Sequence, residues 1–249
     1  FNGAVGNFNA HQALDSSINW PKATNKFISS FNLEYSLISS QIEFKDNLVF
    51  LLSNIENLNN VLLDFSKDIW LYISKDYLKQ KISSNEVGSS TMPHKVNPID
   101  FENAEGNLTL SNSLIPAIKN KMQISRLQRD LSDSTVSRNI GLCFAYLEIS
   151  LNSLNKGLNK LEPNKLKINK ELTESWEVLA EAIQTVMRKN AISSSYEIIK
   201  KITRGNKLSE KSYVSLVENL AISEEDKAKL LRLSPIQYIG LASYLAKLK

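Results

Sequence analysis

An all-α protein, a long-helix bundle followed by a smaller C-terminal helical domain, is the fold class that this sequence predicts. Apolar residues recur at helical spacing along two long stretches, and no stretch alternates apolar with polar residues between hairpin turns. Gly 8 and Pro 6 in 249 residues are too few for a turn-dense sandwich or barrel. The 42% hydrophobic fraction supports a core for one large domain or two ordinary ones, and it excludes disorder.

The first stretch runs from Leu48 to Tyr72. Leu48, Leu51, Ile55, Leu58, Leu62, Phe65, Ile69 and Tyr72 are spaced alternately three and four apart, a heptad-like seam on one helix face. At about 1.5 Å per residue this helix reaches roughly 37 Å. A continuous stripe of that length should be largely covered by neighbouring helices, some from other subunits. The segment from Asn85 to Pro98 has no period and carries a glycine, two prolines and several hydroxyls, so it reads as a long loop. It ends as a helix start, with Asn97 as N-cap and Pro98 at the first position of a helix reaching about Asn120. That helix carries Phe101, Leu108, Leu110, Leu114 and Ile118.

The second stripe is Val136, Ile140, Cys143, Leu147, Leu151, Leu154, Leu158 and Leu161, with Ser134 or Asp133 capping its start. Two such helices need partners, and a bundle supplies them. A break at Leu161-Glu162-Pro163-Asn164 separates a bundle domain, 1–161, from a C-terminal helical domain, 162–249. In the latter, Trp176, Leu179, Ala180, Ile183 and Met187 mark one face. Ser194 with Glu197 forms a capping box, Gly205 is a helix stop, Ser223 precedes an acidic first turn, and Ser234-Pro235 opens the last helix.

Lys+Arg 30 against Asp+Glu 26, a formal charge of +4, suits anionic substrates and nucleic acid alike and decides nothing alone. The single cysteine, Cys143, excludes a disulfide framework and a Cys-based zinc site. No apolar run approaches the roughly 20 residues that span a bilayer. The opening Phe1-Asn2-Gly3-Ala4-Val5-Gly6 lacks the features of a secretory signal, so a soluble cytosolic protein is expected. The two histidines, His11 and His94, have no spaced carboxylate partners, which argues against a metal site.

Two segments could carry chemistry. In Gly88 to Pro98, Ser89 and Ser90 follow a glycine that lets the backbone turn its N–H groups toward a ligand. Lys95 lies close enough to fold back as the cation that a basic serine needs. By pattern alone this is equally a hydroxyl-rich surface loop, and short Gly/Ser motifs often mislead. In Ser125 to Arg138, three arginines and four serines precede and enter a helix start, a combination suited to phosphate or carboxylate. The alternative is capping plus surface charge, with Asp130 and Asp133 pairing with the arginines. Gln41 reads as an ordinary polar residue before the long helix.

Gly88-Ser89-Ser90-Thr91-Met92-Pro93-His94-Lys95-Val96-Asn97-Pro98 resembles the signature of the fumarase/aspartase superfamily, all-α enzymes that eliminate fumarate from a succinyl-bearing substrate. His94 stands where fumarases and aspartases usually have Gly and argininosuccinate lyases Gln. Ile99 to Leu108, Arg126 to Asn139, Trp176 to Glu181 and Gly3 to His11 resemble the bacterial adenylosuccinate lyase branch, so the likeness covers essentially the whole chain.

The resemblance implies cleavage of adenylosuccinate to AMP and fumarate, and of the succinylated imidazole carboxamide ribotide in purine synthesis. It implies Ser89 as general base, Lys95 as a catalytic cation, and substrate contacts from Gln41, Ser90, Lys95, Asn97, Asn103, Arg129, Ser134, Thr135, Val136, Ser137 and Arg138. It further implies no metal or organic cofactor, no nucleic acid or membrane partner, and a homotetramer whose active sites are shared between subunits. The general acid of the family is a histidine in a segment before the equivalent of Phe1, matched by neither His11 nor His94, so this chain alone should be inactive. Another fumarate-releasing lyase, such as an argininosuccinate lyase, and a non-catalytic helical oligomerisation module are the alternatives.

Overall fold

The computed structural model describes residues 1–81, 97–203 and 208–248. They divide into two units, Phe1–Glu162 and Pro163–Lys249. In the first, short helices α1 (Asn9–Leu14) and α2 (Trp20–Ser29) precede the long α3 (Asp46–Ser74). Then come β1 (Leu78–Gln80), α4 (Ile99–Met122), α5 (Ser132–Ser137), α6 (Ile140–Leu158) and β2 (Leu161–Pro163). The two three-residue strands pair, a small departure from the expectation of no strand. The chain leaving α3 runs beside the chain leaving α6, where Lys81 N–H donates to Lys160 O at 2.8 Å.

α4 is the axis of this unit and runs antiparallel to both α3 and α6. Along α3, Trp70 Nε1 donates to Glu102 at 3.0 Å, Asn59 Nδ2 donates to Ser111 Oγ at 2.9 Å, and Lys119 Nζ meets Glu56 at 2.5 Å. Along α6, Lys160 Nζ meets Asp100 at 2.7 Å, Ser150 Oγ donates to Ala104 O at 3.2 Å, and Ser111 Oγ donates to Cys143 O at 3.0 Å. At Gly157 the two helices leave no room for a side chain. A Cβ there would lie 2.8 Å from Cε2 and Cζ of the buried Phe101 ring.

The inward rows correct the apolar-only reading. On α3 the fully buried residues are Leu52, Asn59, Ser66 and Ile69, while Leu51 and Leu58 of the expected seam are 47% and 42% exposed. On α6 they are Cys143, Leu147, Ser150, Leu154 and Gly157, and Leu151 and Leu158 face outward. The α6 row alternates four and three, the α3 row runs seven, seven and three, and both use polar or small residues where a leucine stands next door. Asn59 reaches two acceptors on α4, and Ser150 and Gly157 let α4 approach closely. The expected single helix from about Ser134 to Leu161 is likewise broken into α5 and α6 around Arg138 and Asn139. Asn97 does not cap α4. Pro98 holds the N-cap position, and its carbonyl accepts from Phe101 N–H at 3.0 Å.

The second unit comprises α7 (Lys165–Glu174), a single 3₁₀ turn at Trp176–Leu179, α8 (Ala180–Lys189), α9 (Ser195–Thr203), α10 (Glu210–Glu218), α11 (Glu224–Leu231) and α12 (Ala242–Leu245). Leu179, Ile183, Met187, Tyr213, Val217 and Leu230 form its core. Tyr213 Oη donates to Leu230 O at 2.8 Å, and burial pushes its phenol up to about 12, with Tyr238 adding to the effect. Ser223 caps α11 as expected, accepting from Asp226 N–H at 3.2 Å. The Asp226 carboxylate is buried and receives Lys189 Nζ at 2.7 Å and Asn190 Nδ2 at 2.8 Å, which hold its pKa down to about 2. Ser194 adopts a left-handed backbone, φ 62°, rather than the extended conformation of an N-cap. After Ser234-Pro235 the chain makes a turn, with Tyr238 N–H on Ser234 O at 3.0 Å, and the last helix is only α12. Gly205 lies outside the described residues.

Candidate active site

The first segment of the chain braces a loop. Asn2 Nδ2 donates to Ser36 O, Leu37 O and Ser39 Oγ at 3.0, 3.1 and 3.0 Å. Gly6, at φ 81°, lies so close to the Ser39 carbonyl that no side chain fits there. The braced loop carries Gln41, exposed at a cleft of about 310 Å³ lined also by Asn2, Tyr35, Ser39, Ser40 and Glu43. Asn2 Oδ1 and the Tyr35 hydroxyl are buried there with no hydrogen-bond partner among the described residues. Burial raises the Tyr35 phenol above its ordinary value. His11, by contrast, is packed edge-on against Phe8 and Trp20, with ring centroids 5.5 and 5.0 Å away, and serves the local aromatic cluster.

Ser40 Oγ donates to Gln128 O at 3.3 Å and so joins the Gln41 loop to the Arg126–Arg129 turn. The turn closes through Arg129 N–H on Arg126 O at 3.1 Å, with Leu127 in left-handed backbone at φ 51° and its side chain in solvent. Asp130 follows immediately. One of its oxygens accepts from Ser132 N–H at 2.9 Å and Ser132 Oγ at 2.7 Å. The other faces Arg126 Nε at 3.0 Å and Lys121 Nζ, on the last turn of α4, at 3.5 Å. Arg126, then the Ser132 N–H and hydroxyl, hold the Asp130 carboxyl far below the usual carboxylate range.

Arg126 is thereby occupied. Neither Arg129 nor Arg138 has a carboxylate partner among the described residues. α5 has only six residues, so the helix expected to run on from Ser134 is here a short separate one, with Arg129 just before it and Arg138 at its C-cap. Ser134 and Ser137 donate their hydroxyls to Leu131 O at 2.7 Å and Ser134 O at 3.1 Å, leaving their lone pairs as acceptors. Thr135 is exposed. Val136 packs its side chain against the Leu52–Ile115–Cys143 cluster, so only its backbone can face a ligand.

The remaining candidates lie at the other end of α4. Asn97 precedes the helix and Asn103 lies on its second turn, where Asn103 Oδ1 accepts from Ser153 Oγ at 2.8 Å. Asn103, Asp100, Ser153 and Lys156 line an open recess of about 510 Å³. From Asn103 to Met122 is roughly 28 Å at about 1.5 Å per residue. The length of α4 therefore separates Asn97 and Asn103 from the Arg126–Arg129 turn that follows its other end. Ser89, Ser90, Lys95 and His94 lie outside the described residues.

Comparison with known proteins identifies the family. The lyase family matches residues 1–110, and the adenylosuccinate lyase C-terminal family matches residues 125–239. Adenylosuccinate lyase of Legionella pneumophila (strain Corby) is 51% identical over 247 residues, 99% of this chain and 54% of the relative. That of Escherichia coli (strain K12) is 45% identical over 241 residues, 97% of this chain and 53% of the relative. The chain belongs to the adenylosuccinate lyase family. It spans about half the length of the curated relatives it matches. A class II fumarase from Schistosoma mansoni shares the fold, with TM-score 0.59 and 19% identity over 88% of this chain and 47% of the fumarase.

Membership in the adenylosuccinate lyase family covers both ends of α4. Three contributors were missed by pattern reading: Asn2 and Gly6, which brace the Gln41 loop, and Ser40, which ties that loop to Gln128. Their partners are 33 or more residues away in sequence, so local spacing carried no signal for them. Among the described residues no helix is long and apolar enough to cross a membrane, and no group of three His, Cys, Asp or Glu side chains could hold a metal ion.

Proposed function

We propose that this chain supplies the base-bearing and anion-binding parts of a cytosolic lyase that releases fumarate from adenylosuccinate and from the succinylated imidazole carboxamide ribotide. Ser89 removes the proton from the carbon next to a succinyl carboxylate. Lys95 and nearby amides stabilise the aci-carboxylate that forms. Gln41, Arg129, Arg138 and the Ser134–Ser137 hydroxyls and amides bind the carboxylates and phosphate, and Ser90, Asn97 and Asn103 complete the contacts. A charge-assisted hydrogen bond to each anion contributes about 1.5–3 kcal/mol. No metal or organic cofactor enters this chemistry. The proton donor to the departing amine is a histidine outside this chain, which alone is inactive.

The observation that carries this reading is the division of the substrate-matching residues between the two ends of α4. A helix that keeps Asn103 and Arg129 apart within one chain can bring them together only when copies of the chain run side by side. The outward rows of α3 and α6, with Phe50, Val61, Ile149 and Leu151 in solvent, supply apolar faces for that assembly. The assembly we propose is a homotetramer with shared active sites.

In the full-length protein, Ser89→Ala should lower fumarate release by about 10²–10⁴-fold while substrate still binds. Mixing Ser89→Ala subunits with Arg129→Ala subunits should restore turnover, because some mixed sites then take both intact residues. Turnover of Ser89→Ala near wild type would overturn the base assignment, and mixed subunits as inactive as the separate variants would overturn the shared site. Argininosuccinate cleaved in preference to adenylosuccinate would overturn the substrate.

A further inference from the structure

The Arg126–Arg129 turn holds a conformation that its sequence does not favour. Leucine in the left-handed region costs about 1–3 kcal/mol and persists only where surrounding contacts impose it. Leu127 contributes none, since its side chain is fully in solvent. Contacts that flank the turn hold it, Ser40 Oγ on Gln128 O from one side and the Asp130 carboxylate on Arg126 from the other. One carboxylate reaches the last turn of α4 through Lys121, the start of the turn through Arg126, and the start of α5 through the Ser132 amide and hydroxyl. Lys121 Nζ also donates to Ile124 O at 2.7 Å, fixing the chain as it leaves α4. Arg129 closes the turn with its own N–H, one residue before this carboxylate, and its guanidinium has no carboxylate partner among the described residues.

We infer that Asp130 is the positioning residue for Arg129, presenting that guanidinium to the substrate anion without touching substrate itself. The same arrangement removes an obstacle. A bare carboxylate next to an anion site would repel the ligand, and Lys121 and Arg126 neutralise it locally. Arg126 is thus the arginine that serves Asp130, and Arg129 the one that Asp130 serves. This inference rests on Arg129 belonging to an anion site, as proposed above.

A double-mutant cycle in the full-length protein tests it, read by KM and kcat for adenylosuccinate and by the Kd for inorganic phosphate. Asp130→Asn keeps an acceptor for Ser132 but turns an amide N–H₂ toward Arg126 and Lys121. It should raise KM and the phosphate Kd about tenfold, in line with one lost charge-assisted contact, while kcat changes less than about threefold. In an Arg129→Ala background the same substitution should change both constants by less than about twofold, because residues acting as a unit are not additive. A tenfold effect that persists without Arg129, or no effect in its presence, would overturn the inference. If the wild type binds phosphate and the cycle behaves as stated, yet no fumarate is released, the lyase reading fails and the role of Asp130 stands. Phosphate bound equally by wild type and Asp130→Asn, or by neither, overturns it.

Discussion

The bundle and the C-terminal unit are both helical, but they treat their apolar residues differently. The C-terminal unit places Leu179, Ile183, Met187, Tyr213, Val217 and Leu230 around one shared interior and satisfies its buried phenol and carboxylate internally. The bundle buries two separate clusters, one around Leu52, Ile115 and Cys143 and one around Ile69, Phe101 and Leu154, with the polar Asn59–Ser111 contact also buried. It leaves a second apolar face in solvent, where Phe50 is 72% and Val61 66% exposed. These two lie eleven residues apart, close to three whole helical turns, and so share one stripe. The C-terminal unit thus has one interior, with Leu166 and Leu245 exposed on its first and last helices, whereas the bundle has two interiors and a long exposed apolar stripe.

The largest effect should come from charging that stripe. Phe50→Glu with Val61→Glu should reduce the assembled protein to monomers by light scattering while its helical circular dichroism stays intact, and an unchanged mass would erase the contrast. Next, Met187→Ala in the C-terminal core should cost about 2–5 kcal/mol in denaturant unfolding, the range for a buried large-to-small change. A loss no larger than for an exposed position would mean that this core is not self-sufficient. Gly157→Ala, which forces a methyl against the Phe101 ring and Asp100 Cβ, should cost about 1–3 kcal/mol and weaken the α4–α6 contact. An unchanged midpoint would show that the ring gives way freely.

The smallest effects are at the α11 cap. Ser223→Ala should lose about 1 kcal/mol in thermal unfolding. Asp226 lies at about 2 in the folded chain against an ordinary 3.8. Its stabilisation is therefore fully present above about pH 4 and is lost as pH falls through the folded value. Asp226→Asn should flatten that part of the acid-unfolding curve. A variant with the same acid slope as wild type would move the sensitivity to another carboxylate.

Much of this was legible in the residues. Apolar spacing marked α3 and α6, the Gly88–Pro98 signature and the Arg126–Asn139 block marked the family, and Ser223 marked the start of α11. The inward rows were not legible, because Asn59, Ser66, Ser150 and Gly157 look like surface or breaker residues until α4 is beside them. Nor were Asn2 and Ser40, whose partners lie on other segments, whereas the pairing of Asp130 with an arginine was legible and is met by Arg126.

The sequence by itself determined that long helices form and which chemical groups they carry, since the 3.6-residue period and side-chain chemistry are local properties of the chain. Only the tertiary structure decided which of two adjacent rows faces inward and which arginine takes the Asp130 carboxylate. It also decided that the Gln41 loop lies beside the Arg126–Arg129 turn. Those outcomes depend on how closely a neighbouring helix can approach and on which of several nearby cations meets a carboxylate, and spacing along one chain leaves both open.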